Sequence, residues 1–249
     1  MSLENLIVDE TELPPKPRRT LIYGVGGIGK STFGAEAPNP IFVKTEDGLG
    51  MVKTKSYPLC KDFDTFMSYL TDIYSNDYKF ETVCIDSLDW LEKLIWDVVA
   101  KKEGKSNIDE IGFYKGYNFA VPYWRRVIHA LTMLWQKRMN IIVIAHERIE
   151  KIQNPDGEDY DRHSPAIHKF ANEIIREWCD EVFYAHYVVY ASKSDGDRKA
   201  KAHGNGERIL QCNQSATIVA KSRLKMPDKI AFPEGASYKE YAKYFKEVK

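Results

Sequence analysis

The chain has 249 residues, 36 Lys and Arg against 36 Asp and Glu, and 43% hydrophobic residues. Neutrality with that much apolar content excludes a disordered polyelectrolyte, and it excludes nucleic-acid binding through overall basicity, so any polyanion site must be local. The length suits one α/β domain with a sizeable core.

At the start, Glu4, Asp9 and Glu10 interrupt the only apolar residues, which argues against a secretory signal and for a cytoplasmic protein. Pro14, Pro15 and Pro17 make residues 1–18 an extended arm. Residues 20–23 then form a short apolar strand ending in glycines, followed by a helix over 29–37 and a second strand over 41–43. Phe63, Phe66, Met67, Leu70 and Ile73 recur at helical spacing, and 82–85 is a buried strand. Leu88, Leu91, Ile95 and Val99 mark one further amphipathic helix, and Val127, Ile128, Leu131 and Leu134 another.

Residues 140–145, Asn-Ile-Ile-Val-Ile-Ala, are apolar on both faces and read as an inner strand of a parallel sheet. Ile167, Ala171, Ile174, Ile175 and Trp178 predict a helix. Strands are expected over 181–190 and 207–212, flanking a polar loop at 192–206, and another over 217–220. A charged helix is expected over 238–248, within a tail that spans 233–249. The later part therefore reads as more antiparallel than the first 150 residues. The longest near-apolar run, 182–191, is about half a membrane span and contains His186, which excludes a transmembrane helix there. Cys60, Cys84, Cys179 and Cys212 are scattered and predict reduced, buried thiols. His163, His168 and Cys179 fit no common zinc spacing.

The chemistry concentrates in Gly24-Val25-Gly26-Gly27-Ile28-Gly29-Lys30-Ser31, which satisfies G-x-x-x-x-G-K-[ST] between a strand and a helix. Glycines let the backbone turn so that successive N–H groups face a phosphate, with Thr32 in the first helical turn. Lys30 would neutralise the β and γ phosphates, and Ser31 would hold Mg²⁺, so ATP and Mg²⁺ are the expected cofactors. Asp86, ending the apolar strand Thr82-Val83-Cys84-Ile85, is the candidate acid for the Mg²⁺ shell. Asp89 is the runner-up, expected to be solvated or capping, and Ser87 is the candidate N-cap. Glu46 is the candidate general base, with Asp47 as its competitor. His146, at the end of the 140–145 strand, is a candidate γ-phosphate sensor.

With these residues the chain resembles the RecA-like P-loop ATPases, and more narrowly the phage single-strand annealing proteins of the Sak-four type, over residues 19–232. The narrower likeness comes from Lys115-Gly116-Tyr117, from residues 164–169 with Glu177-Trp178-Cys179-Asp180, and from Ala220-Lys221-Ser222-Arg223. The resemblance implies an α/β RecA-like core with a mostly parallel sheet and an antiparallel C-terminal extension. It implies Glu46 as the base. Lys221 and Arg223 would be fingers reaching the nucleotide of an adjacent subunit in a homo-oligomeric ring or filament. Along an extended segment Lys221, Arg223 and Lys225 share one side, as such a role needs.

Single-stranded DNA is the implied partner, read from two loops. The first carries Phe113, Tyr114, Lys115, Tyr117, Phe119, Tyr123 and Trp124 with Arg125 and Arg126, and the second, 148–169, carries Arg148, Lys151, Tyr160, Arg162, His163 and Lys169. Residues 156–161 make that second loop locally acidic. The implied activity is ATP-driven annealing or strand exchange in recombination, with help from a separate single-strand binding protein. A hexameric DNA motor of helicase or packaging type, a nucleotide-gated binding module and a small-molecule kinase are the competing classes.

Overall fold

The computed structural model describes residues 15–113, 115–192 and 201–247. Most of the arm expected over 1–18, Tyr114, and part of the expected polar loop lie outside the described residues.

β1 (Arg19–Gly24) runs into the glycine-rich turn and α1 (Lys30–Ala35), and then come β2 (Pro40–Lys44), β3 (Lys55–Ser56), α2 (Phe63–Ser75), β4 (Thr82–Asp86) and α3 (Leu88–Lys102). α4 (Lys115–Gln136), β5 (Asn140–Ile152), β6 (Tyr160–Pro165), α5 (Lys169–Trp178) and β7 (Glu181–Tyr187) follow. The last part holds β8 (Tyr190–Ser192), β9 (Lys201–His203), β10 (Arg208–Gln211), β11 (Lys221–Ser222), β12 (Lys229–Ala231) and α6 (Ser237–Ala242).

The main sheet runs β12-β10-β7-β1-β5-β4-β2-β3, with β11 also on β7 and β6 also on β5; β8 and β9 pair separately. Pairings from β7 across to β3 are parallel, while β10, β11, β12 and β6 pair antiparallel. This is the mixed α/β sheet expected, mostly parallel at its centre. Every residue of β4 is buried because helices cover both faces there. Alternation along β1 sends Leu21 and Tyr23 into the core under α2, α3, α4 and α5, and Ile22 into a second core beneath α1 and α6. α2 starts where Asp62 accepts from the Thr65 N–H at 2.7 Å, an N-cap bond. All four cysteines are free and buried, as expected.

Three expectations need correction. Residues 217–220 form no strand; Ile218 makes one bridge to His163, and strand pairing begins immediately after them, at β11. The second expected loop is mostly sheet, because β5 continues past His146 to Ile152 and folds back as β6. The terminal segment is helical close to the expected span, α6 continuing as a 3-10 helix over Lys243–Glu247, but Tyr238 and Tyr241 are buried around Phe33, so it belongs to the second core instead of forming a charged tail.

Candidate functional site

Parallel strands bring their C-terminal ends to one edge, and the registers Gly24 with His146 and Lys44 with Asp86 gather the candidate residues there. At the start of the loop, a Cβ on Gly24 would lie 2.1 Å from the Ala185 carbonyl oxygen of β7, so this position admits only glycine. Gly29, with φ 112°, turns the chain into α1. Ile28 anchors the loop in the second core, while Gly26 and Gly27 face solvent and Val25, Gly29, Ser31 and Thr32 are half-buried. The phosphate-facing rim is therefore open and its floor is packed.

Lys30 is 6% exposed, and its Nζ donates to the carbonyls of Gly24 at 2.9 Å and Val25 at 2.8 Å. Burial pushes its pKa down, opposed by the charges of Asp86, Asp89, Glu46 and Glu147. Ser31 Oγ donates to Asp86 Oδ2 at 2.7 Å. Burial also lifts the Asp86 carboxyl above its ordinary range, held back by Ser31 and Lys30.

The ends of β2 and β4 are laced together. Thr45 N–H donates to the Asp86 carbonyl at 2.8 Å, its hydroxyl donates to the Ser87 carbonyl at 2.6 Å, and the Ser87 N–H donates back to that hydroxyl at 2.8 Å. The Asp86–Ser87 peptide is cis. Next in the chain, Glu46 is half-buried, with burial raising its pKa and Ser87 and His146 opposing. Asp47 is exposed. Glu46 is therefore the acid of the pair that shares the field of Asp86, His146 and Lys30.

His146 is tied to α3. Its N–H donates to Asp89 Oδ1 at 3.0 Å, and its Nδ1 lies 2.9 Å from Asp89 Oδ2. The hydrogen bond to Asp89 raises the His146 pKa against burial. Burial would raise Asp89, but its bonds to His146 outweigh this and leave it below its ordinary value. Asp89 is thus neither solvated nor a cap: it is the group that orients the candidate sensor. Ser87 occupies the N-cap position of α3 without making a side-chain cap bond.

Sequence reasoning missed two further groups. Glu92, one turn beyond Asp89, is 3% exposed, and both its oxygens accept from the His168 N–H at 2.9 Å. Burial pushes its pKa up to about 7. Asp89 and Glu92 stand three apart on a helix whose neighbouring buried positions are apolar, the available signal for both. Arg208 Nη1 donates to the Ile28 carbonyl within the phosphate loop at 3.4 Å, and its Nη2 lies 3.2 Å from Glu234. Nothing near Arg208 in the sequence marks it.

Lys115 and Tyr117 open α4, which makes the first expected loop largely helical. Tyr117 stacks on His168 at 4.3 Å and donates to Asp109 at 2.6 Å, and Trp124 is buried, while Phe113 is 92% exposed. In the β5–β6 hairpin, Arg148 pairs with Glu150, Lys151 lies 3.4 Å from Asp159, and Arg162 donates to the Ala216 carbonyl at 3.1 Å and the Tyr160 hydroxyl at 2.8 Å. Lys169, the first residue of α5, sits over the Phe170 ring.

Lys221 and Arg223 lie at the opposite edge of the sheet, beside the start of β7. Lys221 Nζ donates to the carbonyls of Arg176, Glu177 and Cys179 at 2.9, 3.2 and 2.6 Å, closing the end of α5, and these three bonds match its three donors. Arg223 donates to Asp180 at 2.9 Å and keeps about half its side chain exposed. From this edge neither cation meets the loop of its own chain.

The oxygens of Ser31 and Asp86, brought together at 2.7 Å below Lys30, are the hard donor pair that suits Mg²⁺ with phosphate and water as its other ligands. No helix among the described residues is long and apolar enough to cross a membrane. A family model described as an AAA domain matches residues 16–224, and no curated protein matches the chain significantly. The chain belongs to this AAA-domain family and is a nucleotide-binding P-loop protein of the ATPase type.

Proposed function

We propose that this AAA-domain protein is a Mg²⁺-dependent ATPase with a RecA-like core, of the kind found in phage Sak-four type recombination proteins, which binds single-stranded DNA and promotes annealing or strand exchange. The observation that carries the ATPase reading is the Ser31–Asp86 contact at 2.7 Å beside a buried Lys30, with Glu46 just past β2 and His146 on β5 level with Gly24.

Ser31 and Asp86 would hold the ion, which when bound neutralises charge on the β and γ phosphates. Lys30 leaves its two carbonyl partners for the phosphates, a gain in charge complementarity for an ammonium already desolvated by the fold. Glu46 orients the attacking water and accepts its proton; its raised pKa moves it toward the range that suits a base near neutral pH. His146, made more basic by Asp89, presents a positive charge to the terminal phosphate.

The DNA reading is supported by placement. α4 precedes the parallel β5 and runs back along the sheet, so Lys115 and Tyr117 start at the same edge as the loop, and the β5–β6 hairpin projects beyond that edge. Homo-oligomerisation fits the position of Arg223, which can reach only a neighbour's nucleotide. A single-strand binding protein would complete the annealing machinery.

The test is Mg²⁺-dependent ATP hydrolysis with no DNA, single-stranded DNA or duplex DNA, beside Lys30→Ala. Stimulation by single strands that Lys30→Ala abolishes is the expected result. Stimulation by duplex with translocation would instead make the protein a motor, and turnover indifferent to all DNA would remove the two DNA-facing segments from the mechanism.

A further inference from the structure

The phosphate site leaves one part of the nucleotide without a partner, and the strand order shows where that part must go. The groups placed to meet the terminal phosphate are Asp86 at the end of β4, Glu46 just past β2, and His146 on β5 level with the end of β1, and all three strands lie on one side of β1. The loop itself rises from β1. A nucleoside triphosphate held with its γ-phosphate over β4 and its β-phosphate in the loop extends away from β4, across β1 and toward β7 and β10. Four strand steps separate β4 from β10, about 19 Å at roughly 4.8 Å per step.

Two side chains wait on that side. Arg208 on β10 and Tyr187 on β7 face each other as a cross-strand pair, and the guanidinium carbon lies 5.9 Å from the centre of the Tyr187 ring. Both share the sheet face of Ala185 and Leu210, which pack in the core beneath α1, so they stand on the side to which the phosphate loop crosses. Arg208 reaches that loop directly through the Ile28 carbonyl, and its Nη1 lies 3.5 Å from where a Cβ on Gly29 would be. Glu234 holds the other end of the fork. A guanidinium fixed at both Nη atoms has a set plane, and a set plane is what stacking on a heteroaromatic ring needs. Tyr187 is more than a third exposed, unusual for a large aromatic ring at the end of an inner strand, and so has surface to offer.

We infer that Arg208 and Tyr187 form the nucleobase platform of this site, taking the base of a nucleoside triphosphate by stacking on the guanidinium plane and the tyrosine ring. The inference rests on the nucleotide-binding reading above and adds a specificity consequence. A platform that reads a π-face has no means of telling adenine from guanine, so the two purine triphosphates bind within a few-fold of each other.

Calorimetric titration of the full chain with Mg-ATP and, separately, inorganic tripolyphosphate tests this. Tripolyphosphate has the phosphate chain and no base. Arg208→Ala and Tyr187→Ala are each expected to weaken ATP by about tenfold, the scale of one lost stacking contact, and to leave tripolyphosphate within about twofold. Tyr187→Phe should retain ATP affinity, and Arg208→Lys, which keeps charge without the planar fork, should behave as Arg208→Ala. Retained affinity in Tyr187→Phe, and retained tripolyphosphate binding in the Arg208 variants, guard against misfolding as the cause. Equal loss of ATP and tripolyphosphate would overturn the proposal by assigning Arg208 to support of the loop, as would unchanged ATP affinity in both alanine variants. An ATP preference over GTP beyond about tenfold would overturn it too, since that requires a hydrogen-bonding reader. Loss of both ligands in Lys30→Ala checks the underlying nucleotide site independently, and a wild-type chain binding neither would overturn both readings.

Discussion

The molecule handles positive charge in two contrasting ways. At the phosphate loop one lysine is buried, holds two backbone carbonyls and sits in the field of four carboxylates. In the β5–β6 hairpin, Arg148 and Lys151 stand on a strand whose residues alternate between half-buried and exposed, each beside its own acid. The first arrangement is fixed before any ligand arrives, because packing and Ile28 hold the loop. The second is held by partly exposed ion pairs, which are worth little each and exchange readily for another anion. Preorganised charge suits chemistry, and exchangeable charge suits reversible contact with a polyanion.

The largest expected effect lies on the buried side. Lys30→Ala should lower ATP turnover by at least about a hundredfold, as loss of a preorganised charge does in other enzymes. Steady-state hydrolysis at saturating ATP measures it. Glu46→Gln comes next, with a loss of about a hundredfold in turnover and ATP affinity retained, because the amide still fits but cannot take the proton. Unchanged turnover in Glu46→Gln, read by phosphate release, would remove Glu46 as the base, and with turnover already vestigial in the wild type it would make the protein a nucleotide-gated binding module.

Glu92 extends the contrast to stability. Its pKa in the fold is about 7 against an ordinary 4.5. Between those values the folded chain keeps a proton that the unfolded chain has released, so stability falls as pH rises through this window. The shift corresponds to about 3 kcal/mol once pH exceeds 7. Chemical denaturation of wild type and Glu92→Gln at pH 5 and pH 8 should show the variant losing much less stability over that interval. Parallel curves would mean that the carboxylate is already ionised across the window. Asp89→Asn acts on the same helix with a smaller effect. Removing the carboxylate that raises His146 should move the His146 titration to lower pH, followed by NMR of its ring protons.

These two regions differed in how far they could be read from sequence. The loop 24–31, Asp86 and the strands beneath them were legible because each combines a fixed residue pattern with an apolar run on two faces. The residues alone narrow the base only to Glu46 or Asp47, with the resemblance favouring Glu46; the burial that distinguishes the two is encoded by no local pattern. Asp89 reads as a solvated or capping group and only the runner-up to Asp86, because a charge in the first turn of a helix is most often a cap or surface group; its partner, His146, lies 57 residues away. Arg208 was invisible for the same reason, since it meets Ile28 across 180 residues. The hairpin reads as a loop in the sequence because 148–152 and 160–163 are mostly polar and have no fully buried face, so no apolar alternation marks them as strands.

The hairpin offers the smallest and sharpest test. If its cations exchange their acids for phosphates, Arg148→Ala and Lys151→Ala should each flatten the plot of log affinity for single-stranded DNA against log salt by about 0.7, the value of one phosphate contact on a single strand. Removing the acids should do the reverse. Glu150→Gln frees Arg148 and Asp159→Asn frees Lys151, so both should strengthen DNA binding at low salt and leave DNA-free hydrolysis unaltered. Fluorescence anisotropy with a short single-stranded oligonucleotide at several salt concentrations measures both arms. Opposite responses to removing the cation and removing its acid would show exchange at work, because a purely structural ion pair weakens in the same direction whichever partner is removed.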